Sequence, residues 1–320
     1  MTVNDNNKEV NGSGPERVDN SPERVDNNPE RVSEQRSHAP VVLCCIDGSH
    51  YTSAVCDYAA WIAVNTGAPL KLLHNIERGN VPAVADLTGS IGLGSQEELL
   101  EELTALEQQR ARLMVQQGKL MLQAARERAE QAGVRQVITS QRHDSLGESL
   151  VELEDSIRVL VLGIRGEEHA GAEQGLGTHL ETVVRSLHKP ILVVNRQFTP
   201  PRRIMLAYDG SEAARKALAM VAGSPLFREL SCHLVYVGPA DIAEALLAEA
   251  SAELDGAGLA VTASRLQGKT VEALTAYQAE HGIDLTVMGA FSHNRLRDLL
   301  MGSITAKMLL STRQPLLLLR

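Results

Sequence analysis

The sequence predicts an α/β protein made of two tandem doubly wound domains, each a five-stranded parallel sheet in the order 3-2-1-4-5 with helices on both faces. Three observations carry that reading. Short, wholly apolar runs alternate with helical stretches from residue 40 to residue 320, the pattern of parallel strands buried on both faces. An apolar run, then Asp-Gly-Ser, then a helical stretch occurs twice, at Asp47 and at Asp209. The ends of the two stretches also correspond: RVLVLGIRG (158–166) matches DLTVMGAFS (284–292), and KPILVVN (189–195) matches QPLLLLR (314–320).

In the first half the strands fall near residues 41–46, 70–76, 135–140, 158–163 and 190–194. In the second they fall near 203–208, 231–237, 259–266, 284–289 and 315–319. Amphipathic or alanine-rich helices follow the first strand of each half, over about Tyr51 to Val64 and Glu212 to Ala222. The domains are therefore placed at residues 40–196 and 202–320, with the Pro200-Pro201 pair ending one sheet before the next begins. The last strand of each half, Ile191 to Val194 and Leu316 to Leu319, would be a bare apolar edge. Such edges invite pairing, so the halves are expected to face each other through these strands as an intrachain pseudo-dimer.

Residues 1–39 read differently. PERVDNS, PERVDNN and PERVSEQ repeat over residues 15–35, offering one valine and one proline per repeat. Such a segment cannot bury a core or sustain a coiled coil, and a disordered tail is expected, either solvated or tethering a partner. A second departure is an insertion in the first half, residues 78–104, with DLTGSIGLGS followed by a helical stretch. Ser95 and Glu98 have capping-box spacing, so Gly92 and Gly94 are read as introducing a helix rather than cradling phosphate. Leu99, Leu103, Leu106, Leu113 and Leu120 then share a face. That face either packs on its own domain or serves as a lid or a partner-binding surface.

Composition narrows the function. The chain has 320 residues, is 43% apolar, and carries a net charge of −9 with pI near 5.6. An acidic chain lacks the basic face that nucleic acids and anionic membranes require. No apolar run approaches the roughly 20 residues of a membrane span, and the N-terminus lacks a signal-peptide layout, so the expected location is the cytoplasm. Cys44, Cys45, Cys56 and Cys232 show no metal-ligand or CxxC spacing and are read as buried hydrophobes.

Ligands of doubly wound sheets bind beyond the carboxyl ends of the strands where the strand order reverses, here between strands one and four. Asp47 and Asp209 follow strand one, where a carboxylate can accept hydrogen bonds from an adenine amino group or a ribose. Strand four ends at Gly163 and Gly289, followed by Gly166 and Ser292. The same loops reach Gly177-Thr178 and Gly302-Ser303-Ile304-Thr305, where a helix opens. A helix N-terminus presents unpaired amides and the positive end of its dipole, hydroxyls at Ser303 and Thr305 would add donors, and glycine lets a phosphate come close.

Gly289-x2-Ser292-x9-Gly302-Ser303 and Gly163-x2-Gly166-x10-Gly177-Thr178 resemble the Gly-x2-Gly-x9-Gly-Ser signature of the ATP-binding universal stress proteins. With the two Asp-Gly-Ser turns and the proline-led last strands, the resemblance covers everything after the tail, and the insertion looks like that of tandem bacterial members. It implies the fold of the adenine-nucleotide alpha-hydrolase-like proteins and an ATP- or AMP-binding regulator of the stress response, with Mg2+ as a companion ion. An unidentified protein partner and a homodimer are the further partners it allows. It also places an adenine contact near Val237 and, in the first half, near Ile76. The sequence departs from the signature at Ser292, in the longer first loop, and at Leu180, which stands where the second half has Thr305.

The alternative is an interaction scaffold of the same fold that binds no nucleotide. A turnover enzyme is disfavoured: the chain has no Walker Gly-x4-Gly-Lys, no Ser-Gly-Gly-x-Asp-Ser loop and no evident base beside the phosphate loop. Slow hydrolysis or autophosphorylation stays compatible with a bound triphosphate. His143-Asp144 leads into Ser145 and Glu148, a capping box rather than an acid-base pair. His169, His179 and His188 lack metal-ligand spacing, and Arg165 and Arg295 are read mainly as solvated loop arginines.

Overall fold

The structure, a computed structural model, describes residues 39–76, 93–165, 178–290 and 303–320. The repeat tail, the start of the insertion, and Gly166, Gly177, Ser292, Arg295 and Gly302 lie outside the described residues. The first half supplies strands β1 (Val41–Cys45), β2 (Leu70–Asn75), β3 (Val137–Arg142), β4 (Ile157–Gly163) and β5 (Ile191–Val194). Its helices are α1 (Thr52–Thr66), α2 (Leu93–Gln131), α3 (Leu146–Leu153) and α4 (Thr178–Ser186). The second half supplies β6 (Arg203–Ala207), β7 (Ser231–Val237), β8 (Ala260–Leu266), β9 (Leu285–Gly289) and β10 (Leu316–Leu319). Its helices are α5 (Glu212–Gly223), α6 (Ala240–Gly256), α7 (Thr270–His281) and α8 (Ser303–Ser311).

All ten strands form one sheet, ordered β3-β2-β1-β4-β5-β10-β9-β6-β7-β8. Each half has the predicted 3-2-1-4-5 order, and every pair is parallel except β5 with β10. That antiparallel pair sets Leu317 opposite Leu192 and Leu316 opposite Val193. The central strands are buried on both faces, which is why they read as unbroken apolar runs. At the rims, β3 and β8 contain no fully buried residue, and Thr139, Thr262 and Arg265 are exposed, as befits sheet edges.

The core divides by face of the sheet and not by repeat. One layer joins Tyr58, Leu122, Ala217 and Leu247, from α1, α2, α5 and α6, to strand residues of both halves. The other joins Leu150, Leu180, Leu274 and Met308, from α3, α4, α7 and α8. Side chains reinforce the seam. Asn195 donates through Nδ2 to the carbonyls of Thr312 and Gln314, each at 3.0 Å, and the Arg320 guanidinium donates to the Arg185 carbonyl. Behind β9, Gln278 Nε2 donates to Thr286 Oγ1 at 2.6 Å and Thr312 Oγ1 donates to Gln278 Oε1 at 3.1 Å, so three polar side chains are buried as a connected set.

The insertion helix corrects the sequence reading. It begins at Leu93, two residues before the expected cap at Ser95. The leucine face does not pack: Leu106, Leu113 and Leu120 are 56%, 58% and 72% exposed. The packed row is Gly118, Leu122, Ala125 and Ala129, because small residues let the helix lie close over β2 and β3. A Cβ at Gly118 would come within 2.5 Å of the His74 ring and 2.2 Å of the Gln141 amide. At the next helix, Ser145 and Glu148 form both bonds of the predicted capping box, and the Ser145 hydroxyl, then its amide, donate to Glu148 Oε2 and hold that carboxyl below the usual range.

The four cysteines are unpaired. Burial pushes the Cys45 and Cys232 thiols up to about 12, and a hydrogen bond with Cys56, together with burial, raises Cys44 well above the usual thiol range. Protonated thiols of this kind are poor nucleophiles, in keeping with their role as small core residues.

Candidate functional site

At the carboxyl ends of β1 and β6 the chain turns through Asp-Gly-Ser. Gly48 and Gly210 have φ of 83° and 75°, a left-handed conformation that a side chain resists. Asp47 Oδ1 accepts from the Ser49 amide at 3.0 Å, and Asp209 Oδ1 from the Ser211 amide at 3.0 Å. Each carboxylate is thus pinned by one oxygen at the mouth of the switch point. Asp209 is exposed and Asp47 half-buried. Ser211 caps α5 by accepting from the Ala214 amide at 3.2 Å.

The glycines ending β4 and β9 have a packing role. A Cβ on Gly289 would lie 2.8 Å from Ala213 Cβ and 3.1 Å from the backbone at Ala213 and Ala214. Glycine there lets the first turn of α5 sit against the strand end. At Gly163 the corresponding neighbours are Tyr51 Cβ and the Arg165 carbonyl, both at 3.2 Å.

In the second half, α8 opens beyond β9 with Ser303 and Ile304 exposed. Thr305 differs from its reading as a phosphate donor. Its hydroxyl donates to the Ala290 carbonyl at 2.6 Å with the side chain 2% exposed, fastening the helix to the strand end. Val237 is half-buried at the end of β7. Asp209, Gly289 and the start of α8 therefore belong to adjacent strand ends, with Val237 at the next strand along.

The first half is arranged alike but filled differently. Thr178 opens α4, Leu180 is buried in the position of Thr305, and Ile76 is buried with its amide donating to the Arg142 carbonyl at 2.8 Å. Tyr51 stands where the second half has Ala213, and its ring packs over Gly163. This substitution was visible in the sequence by aligning the two turns, but its place at the crevice was not. Among the described residues no cluster of His, Cys, Asp and Glu could hold a metal ion.

At the opposite end of the second half, His233 Nδ1 and Ser264 Oγ each lie 2.9 Å from the Tyr277 hydroxyl, and the His281 ring centroid is 4.0 Å from that of Tyr277. Burial, then the neighbouring His281 and Arg203, lower the His233 pKa. The folded chain therefore holds that proton less readily than the unfolded chain, whose histidine titrates near ~6.5. The resulting stabilisation is complete above that value and declines as pH falls below it. His233→Gln should flatten the fall in urea midpoint between about pH 7 and pH 5; an unaltered slope would assign the titration elsewhere.

A doubly wound α/β sheet with matched loops at two switch points defines the class, and comparison with known proteins gives the family. The Universal stress protein family model matches residues 40–195 and 238–320. The intervening β6, α5 and β7 lie outside the match although they repeat the first half's topology. Over 284 residues the chain is 38% identical to the universal stress protein Slr1230 of Synechocystis sp., covering 87% of this chain and 99% of that protein. Among solved structures, a universal stress protein from Archaeoglobus fulgidus DSM 4304 matches with a TM-score of 0.67 at 14% identity, covering 89% of this chain and 99% of that one. A putative universal stress protein from Pseudomonas aeruginosa UCBPP-PA14 matches with a TM-score of 0.57 at 15% identity, covering 88% and 93%. These structural likenesses bear on the fold alone. The chain belongs to the universal stress protein family.

Proposed function

We propose that this protein is an adenine-nucleotide-binding regulator of the stress response, acting through nucleotide-dependent partner interaction and not through turnover. The observation that carries the reading is the second crevice, where exposed Asp209 and the exposed start of α8 at Ser303 and Ile304 flank one strand-order reversal. Asp209 keeps an oxygen for an adenine amino group or a ribose hydroxyl. The amides of Ser303 and Ile304 suit a phosphate, and Val237 offers an apolar edge to adenine. ATP or AMP, with Mg2+ alongside a polyphosphate, fits this donor set. The residues expected to complete it are Gly289, Ser292, Gly302 and Thr305, the last through its backbone.

In the first crevice, Tyr51 over Gly163 and buried Leu180 favour a second reading for that half. There Asp47, Ile76, Gly163, Gly166, Gly177 and Thr178 act as scaffold, and one nucleotide binds per chain. We read residues 40–196 and 202–320 as the two domains, joined through β5 and β10 as an intrachain pseudo-dimer. The cytoplasm is the proposed location, where four unpaired thiols would stay reduced.

The test is to denature the purified protein and assay the released adenine nucleotide, then to titrate nucleotide-free protein with ATP and AMP. Asp209→Ala should weaken binding roughly 10- to 100-fold, as for loss of hydrogen bonds to a charged group. Gly302→Val should abolish it. A wild-type chain showing neither released nucleotide, heat of binding nor a melting shift would make the whole protein a scaffold.

A further inference from the structure

The insertion helix α2 carries an apolar face that its own domain does not cover. It runs for 39 residues, about 58 Å, and every residue from 101 to 113 is exposed. Only from Met114 onward does one face settle on the sheet, through Gly118, Leu122, Ala125 and Ala129. Leu106, Leu113 and Leu120 follow at intervals of seven on another side, with Leu103 three residues before Leu106. In sequence, Leu99 continues the same seven-residue interval. A strict period of seven, rather than the drifting period of a helix against a globular core, is the signature of a two-helix seam.

Charge selects the occupant and its direction. Residues 97–107 contain Glu97, Glu98, Glu101, Glu102 and Glu107 with no basic residue, whereas residues 108–126 contain Arg110, Arg112, Lys119 and Arg126 with no acidic residue. Two copies of this helix laid antiparallel bring each acidic half beside the other's basic half. Laid parallel, they would set Arg110 of the seam against its own copy and Glu102 near Glu107, like against like. The acidic leading half also disfavours an anionic bilayer as the occupant.

We propose that two copies of this chain associate through an antiparallel coiled coil of their insertion helices, with Leu103, Leu106, Leu113 and Leu120 as the seam. The surface lies on α2, away from the nucleotide crevice of the second half, and the pairing does not depend on that crevice being occupied. It gives the projecting turns of α2, which in isolation are marginal, the tertiary contacts that hold long helices.

Sedimentation velocity on the full chain should give twice the chain mass. Leu106→Glu with Leu113→Glu should give the single-chain mass with unchanged circular dichroism and melting of the sheet domain, since both leucines are exposed. For direction, Leu103→Cys alone should stay uncrosslinked under mild oxidation, while its mixture with Leu113→Cys or Leu120→Cys should form a disulfide-linked pair; the native thiols are buried or held protonated. A wild-type chain of single mass, alone or floated with phosphatidylglycerol vesicles, overturns the proposal. So does a dimer that survives the double glutamate substitution, and self-crosslinking of Leu103→Cys overturns the antiparallel arrangement.

Discussion

Aspartate at Leu317 is expected to cost about 3–5 kcal/mol, the range for an uncompensated buried charge, and aspartate at both Leu317 and Val193 to unfold the protein. The reason lies in the seam. Leu317 is 2% exposed and pairs with Leu192, while Val193 is 1% exposed and faces the other core layer. The two charges would therefore enter both layers at the antiparallel junction of β5 with β10. Against a total stability of roughly 5–15 kcal/mol, one such charge is severe. Urea unfolding by circular dichroism, with limited proteolysis between residues 196 and 202, reads the effect. Leu317→Ala serves as the uncharged control, expected to cost about 2–5 kcal/mol as a cavity. An unchanged midpoint in the double aspartate variant would mean that the halves do not depend on this junction.

The second large effect is a contrast between two glycines that occupy corresponding places. Gly289→Ala should destabilise by about 1–3 kcal/mol, because the new methyl meets Ala213 Cβ at 2.8 Å and helix backbone at 3.1 Å, neither of which can swing aside. Gly163→Ala should cost less, since its nearest contacts, Tyr51 Cβ and the Arg165 carbonyl, stand at 3.2 Å and need give by only a few tenths of an ångström. Thermal melting ranks the two. Equal losses would show that the α5 turn relaxes as readily as the tyrosine does. Because α5 begins with the Asp209 turn, Gly289→Ala should also lower nucleotide affinity in the second crevice, whereas Gly163→Ala leaves it unchanged.

Much of this fold was legible from local pattern. Each strand lies within two residues of its predicted limits, because parallel strands covered on both faces must be continuously apolar, and runs such as VVLCC and LLLL are little else. The Asp-Gly-Ser turns were legible because glycine suits the left-handed backbone that both adopt, and in the second half Ser211 also caps the helix that follows, requirements of a few adjacent residues. Less of the candidate site was legible. Which hydroxyl is committed to a carbonyl, as at Thr305, depends on where a helix docks against a strand end fifteen residues earlier. The leucines of α2 were readable as a face, but not which face the domain covers, since Gly118 and its neighbours decide that by allowing close approach.

The sequence by itself determined the strands, the tandem repeat, the turns at the switch points and the acidic surface, all of which follow from side-chain size, charge and backbone preference over short stretches. Tertiary structure alone decided that the core divides by face of the sheet into two layers common to both halves, that Tyr51 covers the first strand-four glycine, and that a leucine row is left outside. The physical reason is the same in each case. Burial is settled by which surfaces meet, and surfaces far apart in the chain meet only after the backbone has folded.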